Sequence, residues 1–232
     1  MILRKWDDLP EFMKCDEVKV YYDILSRKKV SLALKRIFDI VVGGILLILL
    51  AIPMLVIAVM IKLDSEGPVF YRQERVTRYG KKFRIHKFRT MVNNADKIGS
   101  AVTVGGDSRI TRVGTKIRDY RLDELPQLFD VLNGDMSFVG TRPEAVKYVE
   151  KYKPKYMATL LLPAGITSEA SIRYKDEAEL LDAADDVDKV YVEKILPGKM
   201  KYNLIAINRF SFFREIVTIF RTVFAVLGKE YE

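Results

Sequence analysis

Residues 40–61 read IVVGGILLILLAIPMLVIAVMI, an uncharged run about as long as a helix needs to cross the hydrocarbon core of a bilayer. Its flanks decide how it sits. Before it come Arg27, Lys28, Lys29, Lys35 and Arg36; after it come Lys62, Arg72, Arg75, Arg78, Lys81 and Lys82. Cationic flanks tend to stay in the cytoplasm, so a plain spanning helix would export one cluster, whereas a re-entrant hairpin keeps both on one side. Pro53 supplies the bend, because it removes a helix donor and crowds the carbonyl one turn earlier. The expectation is a re-entrant membrane helix over 31–64, preceded by a polar lead-in over 1–30 and followed by a cytoplasmic domain over 65–232.

Composition narrows the chemistry. A net charge of +8 over 232 residues calls for an anionic partner, which could be a nucleic acid, an anionic lipid surface or a phosphate-bearing small molecule. One cysteine, Cys15, excludes an intrachain disulfide, and with one histidine, His86, it excludes a zinc cage of Cys and His ligands. The first twenty residues are too charged for a secretory leader.

Outward from the apolar run, Gly67-Pro68 turns into a strand near Val69-Phe70-Tyr71, and residues 82–88 alternate as a second strand, with Tyr79-Gly80-Lys81 as the hairpin turn. Residues 93–107, with three glycines, read as a surface loop. Residues 111–132 carry an apolar stripe at helical spacing, broken near Pro126, and a helical run follows Pro143-Glu144 to Tyr152. Residues 176–191 form an acidic helical stretch. Residues 209–227 form an amphipathic helix that either docks on the soluble core or lies in the membrane interface, with its aromatics favouring the interface. The predicted class is mixed α/β, mainly helical and membrane-associated, with a small globular catalytic part and short strands.

The chemistry concentrates at RDYRLDELPQ, residues 118–127, where Asp123 and Glu124 lie beside guanidinium groups just before a proline. A carboxylate can attack phosphorus to give an acyl phosphate if cations neutralise the approaching charges. Magnesium commonly uses one or two carboxylates plus substrate phosphates, so Asp123 and Glu124 could hold Mg2+ without histidine or cysteine. Taken alone, such a pair is more often a solvated helix surface.

Four stretches together change that balance: KRIFD at 35–39; GPVFYRQERV with KFRIHKFRTM at 67–76 and 82–91; RLDELPQLFDVLNGDMSFVGTRPE at 121–144; and PAGIT at 163–167. In this order they resemble the bacterial sugar transferases, also called monotopic phosphoglycosyl transferases, over roughly residues 31–225. The resemblance implies a re-entrant helix with both ends cytoplasmic. It implies transfer of a sugar 1-phosphate from a nucleotide sugar donor, a UDP-sugar, to polyprenol phosphate on the cytoplasmic face of the bacterial inner membrane. That is the first membrane step of a surface glycan such as an exopolysaccharide. It assigns Asp123 as nucleophile, Glu124 to magnesium or acceptor positioning, and Lys87, Arg118 and Arg142 to the phosphates. On the residues alone, Lys87 equally fits a solvated strand position and Arg142 a loop anchor. The chain departs from the pattern at Ile52, where many members have a small polar residue, and at Val76-Thr77, where many have a nearby glycine; Gly43 or Gly44 could ease helix packing instead.

Two other classes compete. A membrane-anchored scaffold gripping anionic lipid would use the same basic surface without turnover. A nucleic-acid binder is suggested by basic residues around Tyr79, Phe83 and Phe88, but the apolar run and the lack of a nucleic-acid motif oppose it, so no nucleic-acid partner is expected. The sequence leaves the sugar and the oligomeric state open.

Overall fold

The computed structural model of the chain describes residues 1–95, 107–174 and 186–226. Most of the expected 93–107 loop and of the acidic 176–191 stretch lies outside these residues. The chain opens with two 3-10 turns, Trp6–Asp8 and Glu11–Met13, and helix α1 (Asp16–Ser26). Met13, Val18 and Leu25 are fully buried in the largest core, beside Tyr148, Leu161, Leu196 and Met200. The first thirty residues are thus packed into the globular part.

The apolar run folds as two helices, α2 (Lys29–Leu49) and α3 (Ala51–Asp64), bent by 60°. The break falls at Leu50, three residues before Pro53. Pro53 occupies the third position of α3, where its missing N–H deprives the Leu49 carbonyl of its usual donor. No single described helix is long and apolar enough to cross a membrane. Ile45, Ile48, Leu49, Ile52, Leu55 and Leu63 are nonetheless exposed along the pair. Gly43 meets this fold at a close approach: a Cβ there would lie 3.3 Å from the Leu132 side chain.

Strands β1 (Phe70–Val76) and β2 (Lys82–Phe88) form the expected antiparallel hairpin, in register from Phe70 opposite Phe88 to Val76 opposite Lys82. The turn places Tyr79 and Gly80 at positive φ. Thr77 secures it, donating its hydroxyl to the Asp135 carbonyl at 2.6 Å and accepting from the Ala164 amide at 3.1 Å.

After the hairpin, α4 (Arg112–Asp119) starts with Thr111 as a side-chain cap, and the Asp64 carboxylate accepts from the Val113 amide, joining the end of α3 to the start of α4. The predicted 111–132 helix breaks earlier than Pro126. It ends at Tyr120, Arg121 takes a left-handed conformation with φ 56°, and a 3-10 turn over Leu122–Glu124 leads to α5 (Gln127–Asn133). Pro126 instead caps α5, where its ring costs no hydrogen bond. Strand β3 (Met136–Val139), short helix α6 (Val146–Val149) and a 3-10 stretch (Pro154–Leu161) lead to β4 (Ala164–Thr167), which pairs parallel with β3. Helix α7 (Glu169–Arg173) follows; then come α8 (Val187–Val190), a π-turn (Tyr191–Ile195), α9 (Leu196–Asn208) and α10 (Phe212–Val226). The described architecture is mixed α/β and mainly helical, with two small sheets.

Candidate functional site

Three separate elements converge on the turn that carries Asp123 and Glu124. The turn hangs from α4, and its flanking residues Leu122 and Leu125 pack against the cluster formed by Met54, Ile57 and Ile61 of α3 with Phe88, Val113 and Ile117. Packing the half-buried leucines on either side against this cluster fixes the two carboxylates between them. Lys87 arrives near the end of β2, and its Nζ donates to Glu124 Oε1 at 2.8 Å and stands 4.0 Å from Asp123 Oδ2. Arg142 follows β3 and donates to both Glu124 oxygens, at 2.5 and 3.5 Å.

The geometry that delivers Arg142 explains two glycines. Beyond β3 the backbone keeps pairing with β4: the Gly140 amide donates to the Thr167 carbonyl and the Gly165 amide to the Thr141 carbonyl, each at 2.9 Å. A Cβ on Gly165 would stand 2.1 Å from the Gly140 nitrogen, so the PAGIT stretch needs glycine for the strands to approach this closely. Behind Arg142, Glu144 is buried and accepts from the Tyr191 hydroxyl at 2.6 Å, while Lys199 donates to that hydroxyl at 3.0 Å. Arg118 is set further back, with its guanidinium 3.4 Å from the Thr90 hydroxyl and its charge felt at Asp123.

The two carboxylates are electrostatically unlike. Both side chains are nearly buried, 13 % exposed for Asp123 and 12 % for Glu124. Burial pushes the Asp123 carboxyl above the usual range, opposed chiefly by the positive charge of Lys87. Burial acts on Glu124 in the same sense, but the contacts of Arg142 and Lys87 outweigh it and hold that group well below the range. Glu124 is therefore locked as an anion in a salt cluster. Asp123 has no comparable pair and keeps its oxygens for other chemistry. Burial also lowers the pKa of Lys87, partly offset by Glu124.

Two carboxylates face three cations, Lys87, Arg118 and Arg142. A diphosphate entering such a cluster brings more negative charge than these cations balance, which is where a divalent ion fits. The described residues contain no group of three or more acidic, His or Cys side chains suited to a metal cage. The donor set matches an ion that takes one or two carboxylates and completes its shell with phosphate oxygens and water.

Four of the sequence-predicted residues, Asp123, Glu124, Lys87 and Arg142, thus meet in one cluster. Arg118 borders it, and Pro53 lies away in α3. Sequence reasoning missed the anchoring of the KRIFD stretch. Lys35 donates at 2.7 Å to both the Val139 carbonyl and Glu215 Oε2; Arg36 donates to the Val131 and Leu132 carbonyls at the end of α5. Asp39 accepts from the Ser137 hydroxyl at 2.9 Å and the Phe138 amide at 3.2 Å. Arg89 plays the matching part at the other end, donating to the Ser65 and Glu66 carbonyls after α3. The available signal was the placement of three charged residues within one and a half turns, immediately before an apolar run.

The fold and this cluster define a protein suited to handling phosphate groups beside a bent pair of apolar helices. The chain belongs to the bacterial sugar transferase family, whose model matches residues 30–229. It is 38 % identical over 197 residues to a UDP-N-acetylgalactosamine-undecaprenyl-phosphate N-acetylgalactosaminephosphotransferase of Aeromonas hydrophila, covering 84 % of this chain and 44 % of that protein. It is 38 % identical over 201 residues to a UDP-glucose:undecaprenyl-phosphate glucose-1-phosphate transferase of Klebsiella pneumoniae, covering 84 % and 40 %. Identity to a transferase of the same name from Caulobacter vibrioides is 35 % over 196 residues, covering 83 % and 69 %. The chain spans less than half the length of the first two relatives.

Proposed function

We propose that this chain transfers a sugar 1-phosphate from a UDP-sugar to polyprenol phosphate, and that Asp123 is the nucleophile. The observation that carries the reading is the pairing of an unlocked, nearly buried Asp123 with a Glu124 locked by Lys87 and Arg142. The relatives' names supply the donor and acceptor classes.

An Asp123 carboxylate oxygen attacks the β-phosphorus of the donor. The new O–P bond replaces the bond to the α-phosphate oxygen, and uridine monophosphate leaves with that electron pair. The phosphate oxygen of the polyprenol phosphate then attacks the same phosphorus, and the Asp123 carboxylate departs unchanged. Lys87, Arg142 and the more distant Arg118 neutralise the phosphate oxygens as charge gathers, while Leu122 and Leu125 keep the turn fixed. Magnesium, held by Asp123 and Glu124 with the donor's phosphates, would supply further charge neutralisation.

The test is mass spectrometry of the purified protein after incubation with magnesium and a panel of UDP-sugars. A mass increase of one sugar phosphate, with release of uridine monophosphate, is expected for the true donor. If no donor yields nucleotide release, even with polyprenol phosphate present, the transfer reading fails and a non-catalytic lipid-binding scaffold replaces it.

The site is placed by this reading at the cytoplasmic face of the bacterial inner membrane, with α2 and α3 entering and leaving on that side. The 60° bend, the exposed apolar surface of the pair and the basic flanks support it. Single cysteines placed at residues 28 and 66 in a Cys15→Ser background are expected to react with an impermeant maleimide from the same face of sealed vesicles. Labelling from opposite faces would make the pair a bent span.

A further inference from the structure

A cavity of about 640 Å³ does not open onto Asp123. It lies between α9 and α10, behind the Gly140-Thr141 stretch, with an apolar wall of Val139, Leu162, Ile207, Phe210 and Val217. Its size falls within the range of small-ligand sites. Four arginines line it, but they are not equivalent. Arg173 and Arg221 are committed to Glu169, at 3.4 and 3.1 Å, and Glu215 is committed to Lys35. Arg209 and Arg214, both exposed, have no carboxylate partner among the described residues. The cavity is therefore apolar inside and carries two uncompensated guanidinium groups in its lining.

Helix α10 says what surrounds the cavity. Its inner side is tied down by the Lys35–Glu215 pair, by the Thr167–Thr222 hydroxyl contact at 2.7 Å and by the Arg221–Glu169 pair. Its outer side leaves Phe213, Val217, Phe220 and Val223 exposed. Val217 belongs to both surfaces, so the apolar wall of the cavity reaches the open face of α10. A helix held by polar contacts on one side and apolar on the other suits the boundary between headgroups and acyl chains.

We infer that this cavity is a binding site for an anionic membrane phospholipid: one acyl chain lies along the apolar wall, and the headgroup phosphate is held by Arg209 and Arg214. The inference goes beyond the transfer reaction and rests on the proposal only in placing the protein at a membrane. It uses no residue of the Asp123 cluster. Anionic lipid at this point would clamp α10 to α9 and so steady the β3 end from which Arg142 projects. Two arginines facing a net-anionic headgroup rather than a zwitterionic one, whose phosphate is offset by its own cation, should give a preference of roughly 30-fold.

Native mass spectrometry of the full chain released from detergent tests this, with phosphatidylglycerol and phosphatidylcholine of identical acyl chains as probes. One retained phosphatidylglycerol per chain is expected, with phosphatidylcholine retained roughly 30-fold less. The double variant Arg209→Gln/Arg214→Gln should lose that preference, and Ala206→Trp, which fills the cavity from its lining, should lose retention of both lipids. Thermal unfolding confirms that each variant folds. Equal retention of the two lipids by the wild-type chain overturns the inference, as does retention unchanged in both variants. One-for-one displacement of phosphatidylglycerol by undecaprenyl phosphate also overturns it, by making the cavity an acceptor site. Uridine monophosphate release, measured on the same preparations, separates the two ideas. Lipid preference without nucleotide release defeats the transfer reading alone, and nucleotide release without lipid preference defeats the lipid site alone.

Discussion

Replacing Asp123 by Asn is expected to lower sugar-phosphate transfer by on the order of 10⁴-fold or more and to abolish the covalent adduct, while leaving the fold intact. Asparagine matches aspartate in shape, and the flanking Leu122 and Leu125 keep their places against α3, so the turn has no reason to move. What is lost, on the proposed mechanism, is the anionic oxygen that attacks phosphorus. A merely structural carboxylate predicts a different result: reduced stability with residual transfer.

The pH profile supplies a second reading of the same residue. Burial raises the Asp123 pKa in the free protein and Lys87 is the largest opposing influence, so the acid limb of kcat/KM should lie above the ordinary aspartate value of about 3.9. Rate falls as pH drops through that raised value, because the protonated carboxyl cannot attack. In Lys87→Met the opposing charge is gone, and the limb should move to still higher pH. A limb that stays at the same pH in Lys87→Met would detach it from Asp123.

The second large effect is on stability. Lys35→Met is expected to cost about 3–5 kcal/mol, because it strands Glu215 among buried groups and removes the donor to the Val139 carbonyl. The Lys35 side chain is only 2 % exposed and that of Glu215 14 %, so water cannot easily replace the lost partner. For a chain of this length the loss should lower Tm by roughly 10 °C in detergent. Burial already raises the Glu215 carboxyl pKa, with Lys35 opposing. Without Lys35 the folded pKa rises further above the unfolded value of about 4.3. The sign follows: the variant's deficit is smallest below that value, where Glu215 is protonated in both states. The deficit grows as pH rises through the folded pKa, because only the unfolded state then ionises freely. Lys35→Met/Glu215→Leu should recover most of the lost stability, since replacing a buried pair by apolar groups is close to neutral. A double variant as unstable as the single one would show that the Val139 contact, not the ion pair, carries the effect.

These two sites differ in how far they could be read in advance. Asp123 and Glu124 were visible as adjacent carboxylates among arginines before a proline, but that pattern alone more often marks a solvated surface, and it was the ordered motifs around them that singled them out. Their neighbours Lys87 and Arg142 could not be read from spacing, because each is separated from the pair by many residues and reaches it through strand pairing. Lys35, Arg36 and Asp39 were visible as an ordered motif, yet their targets are backbone carbonyls and an amide about a hundred residues away and a carboxylate in α10. Nothing local encodes such partners.

The sequence by itself determined the elements whose signals are local. Those were an apolar run interrupted by a proline, a hairpin with alternating strands and a glycine-containing turn, an amphipathic C-terminal helix, and the carboxylate pair. Each depends on periodicity or on a residue's own backbone limits, which act over a few positions. The break at Leu50 is of the same local kind, since Pro53 frees the Leu49 carbonyl one turn ahead of it; the rest came from tertiary structure. It decided that the 111–132 helix ends at a left-handed Arg121, where the flanking leucines must reach α3. It also set the unequal charge states of Asp123 and Glu124: burial acts on both, and only the meeting of β2 with the segment after β3 puts two cations on one of them.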